Sequence, residues 1–193
     1  MKKNWLLGLI LLLLIVSLMS VPREKPDDVE KALSGEKNLR KARLAGADLR
    51  GLDFYRAKLK KADFSGADLS GANLVSADFH RAILRGVNFE GAELAPTYFA
   101  RADLSGANMR GANAEGAYFY KANLTGADLS DSNLNEADFW QTDLSNVSLE
   151  NTSVTGADFN GAFGLSEQQK EYLTRNGAIN VGQPAPEDTA EWW

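Results

Sequence analysis

The chain has 193 residues, a formal net charge of −5 at neutral pH and no cysteine. A disulfide framework, a thiol nucleophile and a cysteine-ligated metal are therefore excluded, and so modest a charge gives no general case for direct nucleic-acid binding. The length allows one folded domain behind a short N-terminal segment.

Residues 1–21 begin with Lys2 and Lys3 and then run without a charge from Trp5 to Val21. A helix over that run is about 25 Å long, near the thickness of a hydrocarbon core, and no small-x-small cleavage site follows it. The expectation is an uncleaved signal anchor or transmembrane segment over 1–21, touching the membrane through residues 5–21. Lys2 and Lys3 favour a cytoplasmic start, but Arg23, Lys25, Lys31, Lys37, Arg40 and Lys41 pull the other way, so charge does not decide the orientation. An export-type start on so short a tail favours the non-cytoplasmic side, a periplasm or lumen, with a cytoplasmic-facing domain as the alternative. Residues 22–36 read as a linker and N-terminal cap, in which Asp27 to Ser34 form a short helix with Val29, Ala32 and Leu33 as its apolar side and Gly35 as its stop.

From residue 37 the sequence repeats every five residues. Taking the large apolar residue as the centre, positions 39, 44, 49 and onward to 159 give 25 centres, of which 14 are Leu and 8 Phe, with Met109, Ala114 and Val154 as the rest. Two residues before the centre stands alanine in 17 of the 25, with Leu52, Val87, Thr97 and Thr142 among the exceptions. The residue between is Asp or Asn in 17, as at Asp48, Asp63, Asn73 and Asp138. Five residues advance a helix by about 500°, so a helix cannot hold these centres on one face. In an extended segment the small and the large residue share one side and the Asp or Asn takes the other. The remaining two positions are rich in Gly, Ser, Asn and Arg, which tolerate turns. Each unit is thus a short strand followed by a turn.

This pattern resembles the pentapeptide-repeat family, whose Ala-(Asp/Asn)-Leu-x-x unit is seen in Ala67-Asp68-Leu69-Ser70-Gly71 and Ala127-Asp128-Leu129-Ser130-Asp131. The resemblance covers residues 37–163 and implies an all-β solenoid, a right-handed quadrilateral β-helix with four units per coil and about six coils here. A twenty-residue period agrees with four-sided coils: Phe79, Phe99, Phe119, Phe139 and Phe159 recur at that interval and predict an interior ladder, and Gly46, Gly66, Gly86, Gly106 and Gly126 do likewise.

After the repeats the register breaks at Gly164. Ser166-Glu167-Gln168-Gln169 is a capping-box start, which predicts a C-terminal capping helix within residues 164–177 that buries Tyr172 and Leu173 before Gly177. Residues 178–193, with Pro184, Pro186 and Trp192-Trp193, read as a flexible tail.

Specificity must lie on the outward positions. In the corner after the phenylalanine ladder one phase gives Lys41, Lys61, Arg81, Arg101 and Lys121, then Gln141 and Gly161. Neighbouring phases add Arg40, Lys58, Lys60 and His80 toward one end and Tyr98, Tyr118, Tyr120 and Trp140 toward the other. Residues 37–99 hold eleven Lys and Arg against seven Asp and Glu, and residues 100–163 hold three against nine. This basic and aromatic face is the candidate interaction surface for a protein partner or an anionic surface. Asp63 and Asp103, two residues beyond Lys61 and Arg101, are candidate ion-pair partners that would silence it.

Enzymatic chemistry has little support. His80 is the sole histidine, Asp78 is its only near acid, and no nucleophile accompanies them. The aspartates follow the repeat and not a metal-ligand spacing, so neither a catalytic residue, a metal nor a cofactor is expected. The reading is a non-enzymatic binding or scaffold module. The family resemblance also implies an alternative, a cytoplasmic-facing mimic of duplex DNA that binds a type II topoisomerase, and a homodimer formed through the C-terminal helix.

Overall fold

In the computed structural model, which describes residues 27–184, the chain turns after every five residues. The N–H of the small residue typically donates to the C=O of the large residue before it, as from Ala67 to Phe64 and from Ala122 to Phe119, both at 2.8 Å. The third residue of that four-residue turn has a positive φ, 64° at Gly66 and 65° at Gly106. A type II turn needs this left-handed position, and glycine adopts it without strain.

Only three residues separate successive turns, so each unit contributes a single parallel bridge and not a full strand. Asn38 bridges Lys58, Asp48 bridges Asp68, and Tyr98 bridges Tyr118. Partners lie twenty residues apart throughout the repeats, so four units complete one circuit and the chain winds as a four-sided β-helix. Each bridging residue beyond the first coil both donates to and accepts from the coil before it: Tyr98 N donates to Ala77 O at 3.0 Å, and Tyr98 O accepts from Phe79 N at 2.9 Å. Stacking thereby satisfies backbone groups that a lone extended segment would leave open.

The interior is the sum of the repeated small and large positions. Every centre from Leu39 to Phe159 is buried, Met109 and Ala114 included. Phe79, Phe99, Phe119, Phe139 and Phe159 stack along one side with centroids 5.3, 5.1, 4.8 and 4.7 Å apart. Phe64 and Phe89 meet Phe79 edge-on, filling the tube across its width. Thr97 and Thr142 replace alanine without leaving a polar atom stranded, because their hydroxyls donate to Leu74 O at 2.8 Å and Phe119 O at 2.7 Å.

Both ends of the tube are covered. Helix α1, Asp28–Leu33, is capped by the Asp27 carboxylate, which accepts from Glu30 N. It packs through Ala32 and the half-buried Val29; Leu33, read as part of its apolar side, is instead 57% exposed. At the other end helix α2, Glu167–Arg175, starts on a reciprocal capping box between Ser166 and Gln169. Gln169 Nε2 donates to Val147 O at 2.9 Å and the Tyr172 hydroxyl to Thr152 O at 2.9 Å, so side chains replace the amides of an absent coil.

Two expectations are corrected. Residues 178–183 do not leave the tube: Phe159 N donates to Ile179 O and Gly161 N to Gln183 O, each at 3.0 Å, so the chain beyond α2 lies along the last coil. A membrane-anchored placement with the repeats in a periplasm or lumen is also not upheld. Among the described residues no helix is long and apolar enough to cross a membrane, and the segment 5–21 read as the anchor lies outside them.

Candidate functional site

The outer surface of the phenylalanine-ladder face consists of columns that run along the tube. At the bridging position stand Lys58, Asp78, Tyr98, Tyr118, Asp138 and Asp158. Two residues later, at the first turn position, the column reads Lys60, His80, Ala100, Tyr120 and Trp140, and the corner beyond carries Lys41, Lys61, Arg81, Arg101 and Lys121.

That corner is a left-handed one. Lys41, Lys61, Arg81, Arg101 and Lys121 have φ of 59°, 60°, 57°, 58° and 53°. The equivalent corners of the next two faces hold glycine at Gly46, Gly66, Gly86 and Gly106 and at Gly51, Gly71, Gly91 and Gly111. A left-handed φ costs an L-residue about 1 kcal/mol that glycine does not incur. A Cβ added at any of those glycines meets nothing within 4 Å, so space does not dictate which corner carries side chains. The basic column is thus held against the local backbone preference, coil after coil.

The acids two residues beyond Lys61 and Arg101 have partners outside the column. The Asp103 carboxylate pairs with Arg85 Nε at 2.5 Å, and Asp63 accepts from Ser65 N at 2.9 Å and Ser65 Oγ at 2.6 Å. Lys121 Nζ lies 5.2 Å from the Tyr120 ring centroid, and Lys60 pairs with Asp78 at 3.2 Å.

Beside the basic column the aromatic side chains form two stacks. Tyr98 and Tyr118 lie 5.2 Å apart with 4° between their planes, and Tyr120 and Trp140 lie 5.2 Å apart at 27°. Tyr98 and Tyr118 are more than 40% exposed, an unusual exposure for paired rings that face water. A groove of about 610 Å³ runs between the stacks, from Lys60 and His80 across Ala100 to Asp138 and Trp140. The Trp140 indole N–H is buried there without a hydrogen-bond partner.

The groove's titrating groups feel its partial burial. Burial pulls the His80 imidazole below its ordinary pKa, with Arg81 and Lys60 pulling the same way against Asp78. Burial pushes the Asp138 carboxyl up and nearby Asp158 adds to this, while the hydrogen bond from Trp140 N opposes both. Asp78 accepts from the His80 backbone N–H at 3.2 Å, which orients the turn and forms no side-chain dyad. Sequence reasoning missed Ala100 and Asp138; the legible signal was the twenty-residue column itself, in which an alanine interrupts His80 and Tyr120.

The sequence pattern described as pentapeptide repeats matches residues 38–74, 62–95, 97–135 and 122–161, with 8 copies. Members of known structure are right-handed quadrilateral β-helices. No curated protein matches the chain. Among solved structures it is similar to a pentapeptide repeat protein, AT2G44920, from the thylakoid lumen of Arabidopsis thaliana, at 32% identity over 74% of this chain and 86% of that one, with a TM-score of 0.26. HetL of the cyanobacterium Nostoc, a pentapeptide repeat protein involved in heterocyst differentiation regulation, is 27% identical over 72% and 84%, with a TM-score of 0.29. QnrB1, a plasmid-mediated fluoroquinolone resistance protein, is 22% identical over 66% and 68%, with a TM-score of 0.42.

Proposed function

The chain belongs to the pentapeptide-repeat family, and we propose that it is a non-enzymatic module that docks a carboxylate-bearing protein partner on its basic and aromatic face. One observation carries this reading: a column of lysines and arginines occupies left-handed corners where glycine would be unstrained. Cations kept at a conformational cost beside exposed aromatic stacks are the composition of a docking patch. No reaction is assigned to it, since His80 and Asp78 meet only through the backbone.

The DNA-mimic reading has less behind it. Acids on the other faces are paired with cations, Asp48 and Asp68 with Arg50 and Asp103 with Arg85, so they do not form an uninterrupted anionic surface. The mimic would also leave the basic column without a role.

The test compares the full chain with a Lys61→Glu, Arg81→Glu, Lys121→Glu variant on immobilised poly-L-glutamate. Glutamate is already accepted at such a corner, as Glu136 at φ 57° demonstrates, so the fold is preserved. The parent is expected to be retained and the variant to flow through. Equal retention of both would refute the reading, and retention of the parent only by vesicles rich in anionic lipid would assign the face to an anionic surface instead.

A further inference from the structure

We propose that the gap at Ala100 is a receptor slot for one planar aromatic side chain of an acidic partner segment; this rests on the docking role of the face proposed above. The column Lys60, His80, Ala100, Tyr120, Trp140 carries a ring in the coil below Ala100 and another in the coil above it. Adjacent coils on this face hold outward rings 5.2 Å apart, in the Tyr98–Tyr118 and the Tyr120–Trp140 stacks alike. A missing ring therefore leaves about 10 Å between the levels of His80 and Tyr120, two coil spacings, which one further ring fills at stacking distance from both. The Ala100 methyl is the floor of the slot, Tyr98 in the same coil stands beside it, and all four residues line the same groove.

The charges around the slot select an acidic segment. Arg81 follows His80 in the coil below, and Lys121 follows Tyr120 in the coil above, with its Nζ 5.2 Å from that ring. Carboxylates on either side of the inserted ring meet these two cations. Burial, Arg81 and Lys60 lower the His80 pKa, so its imidazole is uncharged at neutral pH and presents a π surface without a competing charge. A nucleobase has the right thickness too. A nucleic-acid strand, however, would continue along the face onto Asp138 and Asp158, whereas a short acidic segment ends before them.

The probe is a blocked pentapeptide with tryptophan between two pairs of glutamates, titrated into the full chain. His80 is the sole histidine, so its ring protons are an unambiguous NMR reporter. A saturable upfield shift of those protons is expected, with binding about tenfold weaker for the same peptide carrying alanine in place of tryptophan. Ala100→Tyr completes the column and is expected to abolish the His80 shift. This turn position already accepts tyrosine at Tyr55 and Tyr120. Tyr120→Leu, which removes the upper ring, is expected to weaken binding about tenfold.

The slot is overturned if the His80 protons do not move, if Ala100→Tyr binds as the parent does, or if a thymidine octamer displaces the peptide and binds more tightly. Retention of the Ala100→Tyr protein on poly-L-glutamate, with undiminished peptide affinity, would sink the slot alone and leave the docking face standing. Loss of both the peptide and the poly-L-glutamate interaction in the parent chain would sink the two together.

Discussion

The carboxylate of Asp28, in helix α1, accepts a hydrogen bond from the backbone N–H of Arg43 at 2.9 Å. One coil further on the equivalent amide, Asp63 N, donates to Ala42 O at 2.9 Å. Asp28 thus supplies the acceptor that a preceding coil would have provided, and its Oδ1 also pairs with Lys31. Asp28→Ala is expected to destabilise the domain by about 1 kcal/mol and to accelerate hydrogen exchange at the Arg43 amide well before the central coils. Exchange at Arg43 unchanged from the parent would show that the helix covers the end without this bond.

Phe119 stacks between Phe99 and Phe139 at 5.1 and 4.8 Å and is fully buried. A tube filled from one coil to the next has nothing with which to refill a missing ring. Phe119→Ala should cost about 3 to 5 kcal/mol in chemical denaturation, whereas Phe119→Leu, which restores the commonest centre, should cost less than half of that.

Gly164 marks the exit from the repeats, with φ 85°, and a Cβ there would lie 2.5 Å from Ser145 N and 2.7 Å from Ser145 Cα. These are backbone atoms and cannot swing aside. Gly164→Ala is expected to destabilise by more than about 2 kcal/mol, in contrast to Gly106→Ala, where a Cβ meets nothing within 4 Å and only the left-handed φ is strained, at about 1 kcal/mol. Similar melting temperatures for the two variants would contradict the difference.

Much of this molecule is legible in its sequence because each coil repeats the same physical demand. A small and a large apolar residue, two apart and recurring every five, dictate the inward side, and Phe79 to Phe159 disclose the four-unit circuit by their spacing alone. Contacts that leave the period are not legible. Asp28 joins a helix to Arg43, and Arg85 reaches Asp103 across a corner. Pro96 is another such exception: it cannot take a positive φ, and at its corner Ser76 N donates to Pro96 O at 2.9 Å, where other corners use the residue before. The basic column was visible as a phase, but its left-handed backbone and the gap at Ala100 required the coils to be stacked.

Asp138 responds to acid with the opposite sign to Asp63 and Asp128. Hydrogen bonds from Ser65 and Ser130 lower the pKa of Asp63 and Asp128, so their contribution is complete above the unfolded-state value and is lost as the pH falls through the folded one. Burial and Asp158 raise the Asp138 pKa, so the folded state holds that proton more tightly and this group opposes folding at neutral pH. Asp138→Asn keeps an acceptor for Trp140 N and is expected to raise the Tm at pH 7. The gain should shrink as the pH is lowered through the raised Asp138 value; a gain that stays constant with pH would exclude the titration as its origin.

The most direct measurement of the docking role separates what the basic column does for folding from what it does for binding. In a Lys61→Gly, Arg81→Gly, Lys121→Gly variant the left-handed corners lose their strain, so the Tm is expected to stay level or rise while retention on poly-L-glutamate disappears. A variant that melts several degrees lower yet is retained as strongly as the parent would contradict the account, because the column would then serve the tube and not a partner.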